Sequence, residues 1–203
     1  MKKIALLFFT FGILAVSCKK EEKTETPVTT EVEAGALKIV SDSTKVSWTA
    51  YKTTEKVGVG GSFTEIKLND TKTGTTPEAI LEGATFSIPV SSLFTNNPER
   101  DGKLKEFFFG VLKNTELISG TLNFKEGNCL LTIKLNDVEK QFPVTHEFKD
   151  NRFSINSTID LVDFGAEGAV ASINKACYDL HKGADGVSKT WSEVAISGSV
   201  LFE

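Results

Sequence analysis

The chain has 203 residues, 40% of them hydrophobic and 25% charged, with a formal net charge of −4 at pH 7. That length is enough for one domain with a substantial core. A mildly acidic chain with both signs interspersed presents no basic stripe to a phosphate backbone, which excludes nucleic-acid binding.

Lys2 and Lys3 precede residues 4–16, an apolar run broken only by Thr10 and Gly12. The run is too short to cross a bilayer as a helix and suits the core of a secretion signal. It ends in Ala15, Val16, Ser17 and Cys18. A small residue directly before a cysteine resembles the lipobox of bacterial lipoproteins, in which that cysteine is lipidated and becomes the mature N-terminus. Ala15 stands where a leucine is usual. The bland alternative is an ordinary secretion signal with an incidental cysteine. The expectation is therefore a signal peptide over residues 1–17, lipidation of Cys18, and an outer-membrane lipoprotein of the cell envelope, periplasmic or surface-exposed.

Residues 18–35 are charged, Thr-rich and free of aromatics. Such a segment cannot bury enough apolar surface to offset its ordering entropy and reads as a flexible acidic tether. Its start, "CKKEE", resembles the lysine-plus-acid signals of some surface lipoproteins of Bacteroidetes. The folded domain is expected over residues 36–203.

From Leu37 onward the dominant period is two. "VSWTAYK" sets Val46, Trp48 and Ala50 against Ser47, Thr49 and Tyr51, the alternation of a half-buried strand. "GVGGSFTEIKL" follows, then "ATFSIPV" with Phe86, Ile88 and Val90 on one face, and "TELISGTLNFK". "CLLTIKLN" continues the pattern, as do "QFPVTHEFK" with Phe142, Val144 and His146, and "RFSINSTIDL" with Phe153 and Ile155. "EVAISGSVLF" completes eight strands, separated by turn-forming stretches such as "KTGTTPE", "KEGN" and "KDN". One apolar and one polar face per strand predicts an antiparallel sheet wet on one side. Eight such strands predict closure into an all-β antiparallel barrel, which removes exposed edges. A two-sheet sandwich is the rival.

Two short helices are predicted between strands. In the first, Asn97 caps, Pro98 takes the first position and Glu99 meets the positive dipole end. Leu104, Phe107 and Phe108 share its apolar face, Phe109 points elsewhere onto the returning chain, and Gly110 ends it. Phe107 and Phe108 then face either the core or the inside of a barrel mouth. The second helix covers residues 166–181, with Val170, Ile173, Cys177 and Leu180 as its stripe and Gly183 as its stop.

Catalysis finds little support. The two histidines are His146 and His181, and no phosphate loop, nucleophile elbow or metalloprotease spacing occurs. Cys177 and His181, four residues apart, could be a thiol and its base or two ligands of a soft metal. In an apolar stripe, however, cysteine behaves as a small hydrophobe, and two ligands make no zinc site. No metal and no catalytic residue is assigned. His146 falls on an apolar strand face, as a satisfied core residue or a donor to an enclosed head group. Arg100, Asp101 and Lys103 are either helix capping and solubility or a polar rim beside an apolar opening. Cys129 and Cys177 are either bridged or two buried free thiols.

An eight-stranded barrel is filled by its own side chains or holds one small ligand. Fifteen Phe against two Trp and one Met, with glycines at Gly58, Gly60, Gly61, Gly120 and Gly198, suit walls around a slender hydrocarbon. The interior candidates are Trp48, Phe63, Phe86, Ile88, Phe107, Phe108, Phe142, Val144, His146, Phe153 and Ile155. A surface interaction module with a filled barrel is the alternative.

"KVSWTAYKTTEKVGVGGSFTEIKL" and "FSIPVSSLFTNNPERDGKLKEFFFG" resemble the YceI-like family of secreted bacterial proteins, the second through its Ser-rich corner and "RD-x-x-L" helix ending in paired aromatics. The tail from "IDLVDFGAEG" to "SGSVLF" is similar to a lipoprotein branch in Bacteroidetes. The resemblance implies a lipocalin-like antiparallel barrel, and with catalysis poorly supported by the residues no enzymatic activity is expected. It also implies an enclosed amphiphile, a polyisoprenoid or isoprenoid quinone, as lipid partner. The family helix usually carries a His between "RD" and Leu. Here Gly102 and Lys103 occupy that stretch and cannot repeat its contact.

Overall fold

The computed structural model describes residues 35–203. Its strands are β1 (Lys45–Lys52), β2 (Val57–Phe63), β3 (Lys67–Asn69), β4 (Thr85–Pro89), β5 (Leu93–Phe94), β6 (Leu117–Lys125), β7 (Asn128–Leu135), β8 (Val138–Lys149), β9 (Arg152–Asp160) and β10 (Thr190–Leu201). They make one sheet in the order β3-β4-β6-β7-β8-β9-β10-β1-β2-β5, antiparallel at every pairing. Three α-helices accompany it: α1 (Pro77–Leu81), α2 (Pro98–Phe107) and α3 (Glu167–Ala176).

The strand count is ten rather than eight. All eight predicted segments form strands, but one of them divides and a short strand, β5, is added beyond another. "GVGGSFTEIKL" divides into β2 and β3 at residues 64–66. The segment starting at Thr85 leaves the sheet after Pro89 in a 3₁₀ turn, Val90–Ser92, before β5. The Ser92 hydroxyl donates to the Pro89 carbonyl at 2.7 Å and so closes that turn. The two bent stretches, β2–β3 and β4–β5, pair with each other on both sides of the bend, Phe63 with Leu93 and Lys67 with Ser87. Thr64 N donates to the Ser92 carbonyl between them. The strand order therefore begins and ends on the same bent segment, and the sheet curls around an interior.

Two strand glycines show how that interior is lined. Gly61 pairs with Trp48 and Gly120 with Phe86. A Cβ on Gly61 would lie 2.7 Å from Trp48 Cε2, and one on Gly120 would lie 2.5 Å from Phe86 Cζ. Each large ring lies back on the bare backbone of its neighbour, which only glycine permits. What approaches these glycines is the protein's own aromatic wall, together with the Thr132 carbonyl at Gly120 and the Thr95 methyl at Gly61.

The helices follow local chemistry. In α2 the Asn97 side chain accepts Arg100 N at 3.1 Å, and Pro98 opens the first turn. It ends at Phe107, earlier than Gly110, and the chain tightens into a 3₁₀ turn, Phe109–Val111. Helix α3 likewise stops at Ala176, short of residue 181, and a second tight turn covers Asp179–His181. Helix α1 was not foreseen. Thr76 caps it by accepting Ala79 N at 3.2 Å, Pro77 starts it, and it buries Ile80 and Leu81.

The sheet has two dissimilar ends. At one, Ile80, Leu81 and Ala84 pack with Phe153, Val200 and Phe202, and Leu37 and Ile39 join them. β1 starts near this end, with Lys45 opposite Ser199, and reaches the other at Lys52, opposite Thr190. There α2 and α3 pack against each other. Cys129 and Cys177 are both buried and free, so no bridge joins them.

Candidate ligand cavity

The curled sheet and the two longer helices surround a cavity of about 520 Å³, inside the range of roughly 300–1,000 Å³ typical of small-molecule sites. The barrel is thus not filled by its own side chains. Of the residues singled out in the sequence, Trp48, Phe63, Phe86, Ile88, Phe108, Val144, Phe153 and Ile155 line it. They come from five strands and from the cap of α2, so the cavity runs between the two ends.

Phe107, Phe142 and His146 do not line the cavity. Phe142 packs against the main apolar cluster instead. His146 belongs to the closed end, where its ring lies 5.8 Å from Phe124 and 5.7 Å from Phe153, with Glu78 of α1 at 3.9 Å. The phenylalanine triplet is rotated relative to expectation. Because α2 stops at Phe107 and the chain tightens, Phe108 and Phe109 turn inward together, edge to face with centroids 5.0 Å apart. Phe109, expected on another face, is the buried member and also lines the cavity.

The charged cluster of α2 divides. Arg100 and Lys103 stand at the cavity. Asp101 turns back and accepts Thr95 N at 2.9 Å and the Thr95 hydroxyl at 2.7 Å, a local brace away from the cavity. Lys103 donates to Glu99 at 2.8 Å. That bond holds the ammonium pKa up and the carboxyl pKa down.

Several polar members were invisible in the sequence: Tyr51, Lys52, Asn97, Thr190 and Trp191 also line this end. Lys52 and Thr190 meet because β1 pairs with β10, a long-range neighbourhood that local periodicity does not encode. Lys52 Nζ donates to the Leu180 carbonyl at 2.8 Å. Trp48 Nε1 is buried in the wall and has no hydrogen-bond partner among the described residues. An unmatched buried donor of this kind favours an oxygen-bearing guest or an ordered water.

Cys177 and His181 both line the cavity. Burial pushes the Cys177 thiol up, and burial, helped by the Lys52 charge, pushes the His181 imidazolium down. Both shifts favour the neutral forms, which is the opposite of an activated thiolate–imidazolium pair. Burial raises the Cys129 thiol to about 11. Among the described residues no three His, Cys, Asp or Glu side chains gather as a metal site.

The YceI-like domain pattern matches residues 25–200. The fold is similar to a polyisoprenoid binding domain from Saccharophagus degradans implicated in plant cell wall breakdown, at 13% identity and a TM-score of 0.56, covering 83% of this chain and 97% of that one. It is also similar to Burkholderia cenocepacia BcnA, at 16% identity and a TM-score of 0.55, covering 80% of this chain and 98% of the other. At these identities the likeness establishes the fold. No curated protein sequence matches the chain.

Proposed function

Since this chain belongs to the YceI-like domain family, we propose that it binds or carries an amphiphilic isoprenoid-type lipid, a polyisoprenoid or isoprenoid quinone, inside the curled sheet. The observation that carries the reading is the cavity of about 520 Å³, with an aromatic and aliphatic wall and, Lys45 apart, its charged groups gathered at one end. A lipid tail fits the wall and a polar head fits the end. Ten buried carbons would contribute about 8 kcal/mol at about 0.8 kcal/mol per CH₂, in part offset by the freedom lost on association. The polyisoprenoid-binding role of the Saccharophagus relative supports the same class of guest. The cavity also disfavours the rival of a solid interaction module.

No reaction is assigned, because the one thiol–imidazole pair is held neutral. The guest is carried at the cell envelope by a lipid anchor on Cys18, which lies outside the described residues, as do the signal peptide over residues 1–17 and nearly all of the tether over residues 18–35. Labelled fatty acid should enter the wild type and not Cys18→Ala; equal labelling of both would remove the anchor. Mass spectrometry of organic extracts from the purified protein tests the central claim. A polyprenyl-chain species at near one per protein is expected. Extracts with no lipid above background, from protein made in its native host, would refute it.

A further inference from the structure

We infer that His181 is a hydrogen-bond acceptor for the head of the guest, so that the cavity selects a lipid carrying a hydroxyl group over one whose head oxygen has no hydrogen. The inference rests on the lipid-binding reading and narrows it.

A chain of three side chains fixes the imidazole. Asn174 Oδ1, on α3, accepts the Thr190 hydroxyl at 2.9 Å and the Ser188 hydroxyl at 3.4 Å. The Thr190 proton is thereby committed, and its oxygen can only accept from the other side. Its partner there is His181 Nδ1, at 2.7 Å. Nδ1 therefore carries the hydrogen, and in a neutral ring with a single N–H the lone pair resides on Nε2. Among the described residues none donates to Nε2, while the ring itself lines the cavity.

The surroundings keep this nitrogen an acceptor. Lys52 comes from β1 with its ammonium donating to the Leu180 carbonyl, and its charge opposes a second proton on the ring. From α2, Lys103 is matched to Glu99 and Arg100 also lines the cavity, while Lys56 and Lys189 lie over the Trp191 ring and Lys182 pairs with Asp179. Cys177, from α3, is held as a neutral thiol. A head-group O–H can donate to Nε2, whereas an ether or carbonyl oxygen meets two facing lone pairs and gains nothing there.

Two probes with the same tail separate the possibilities: farnesol, and farnesyl methyl ether, in which the donor hydrogen is replaced by a methyl group. Titrated into the delipidated full chain, the alcohol should bind about two- to tenfold more tightly than the ether, the span of one neutral hydrogen bond. In His181→Phe the alcohol-to-ether ratio should fall to about one. In Thr190→Val, which frees the tautomer, it should fall part of the way. Should His181→Phe not fold, ¹⁵N NMR of the wild type serves in its place: Nε2 should resonate as a non-protonated nitrogen and shift with farnesol alone. A protonated Nε2, equal affinities in the wild type, or a preference that survives in His181→Phe would each overturn the role of His181 while leaving lipid binding intact. Failure of both probes to bind would overturn the lipid-binding reading itself.

Discussion

At one end of the sheet α1 presses Ile80 and Leu81, 2% and 1% exposed, onto Phe153, Val200 and Phe202; at the other, Leu180 stays 58% exposed beside Lys52 and His181. Both ends are covered by helical segments between strands, yet they solve different problems. The closed end excludes water from apolar surface and gains stability from it. The mouth keeps charged and polar groups half in water, so it gains less from burial and remains accessible. Stability is thus weighted toward one end of the cavity and polar contact toward the other, and substitutions at the two ends should sort accordingly.

The largest effects belong to the closed end. Phe153→Ala should lower stability by about 3–5 kcal/mol and Leu81→Ala by about 2–5 kcal/mol, the usual range for fully buried truncations, read from denaturant midpoints on delipidated protein. A loss below about 1 kcal/mol in both would dissolve the contrast.

At the mouth, Phe108→Ala enlarges a void that already exists and should destabilise by roughly half as much. It should nevertheless release lipid, measured per mole of folded protein, and Phe107→Ala should not. If the two variants retain lipid alike, Phe108 is packing and not part of the binding wall.

A smaller effect should appear with acid. Burial depresses the His181 pKa in the folded chain, so protonation is easier in the unfolded chain, where the value is about 6.5. The stability tied to the neutral ring is complete above that value and declines as pH falls below it toward the folded pKa. Midpoints of the wild type should therefore drop more steeply over this window than those of His181→Gln, and parallel curves would contradict the assignment. The smallest effect is expected at Glu99, whose pair with Lys103 is solvent-exposed on the carboxylate side. Glu99→Gln should leave the midpoint unchanged within error; a clear shift would mean the mouth also carries stability.

The strands were legible because alternation survives wherever one face is buried: "VSWTAYK" and "CLLTIKLN" became β1 and β7 nearly residue for residue. The interruption at residues 64–66 was not, since a bend in a strand leaves the alternation on either side intact. Helix α1 carried its start signals in Thr76 and Pro77, but five residues are too few to display a helical period. The triplet of phenylalanines was placed on a continuous α-helix, and the change to a tighter turn after Phe107 moved Phe109 to the inside. In the cavity, the apolar lining could be read from faces. The polar end could not, because Lys52 and Thr190 become neighbours only once β1 and β10 are paired.

The rings of Trp48 and Phe86, leaning on Gly61 and Gly120, bear on what kind of measuring device the cavity is. Two positions that contribute no side chain at all let these rings lie against the strands: a Cβ at Gly61 would meet the Trp48 ring, and one at Gly120 would meet both the Phe86 ring and the Thr132 carbonyl. Gly198 is the milder case: an added Cβ would approach Ile155 Cγ1 at 3.2 Å, a distance a flexible side chain can relieve by shifting. A single methyl group at Gly198 would therefore throttle the bore slightly without dislodging an aromatic, which makes it the place where the thickness of an acceptable tail can be tuned independently of its length.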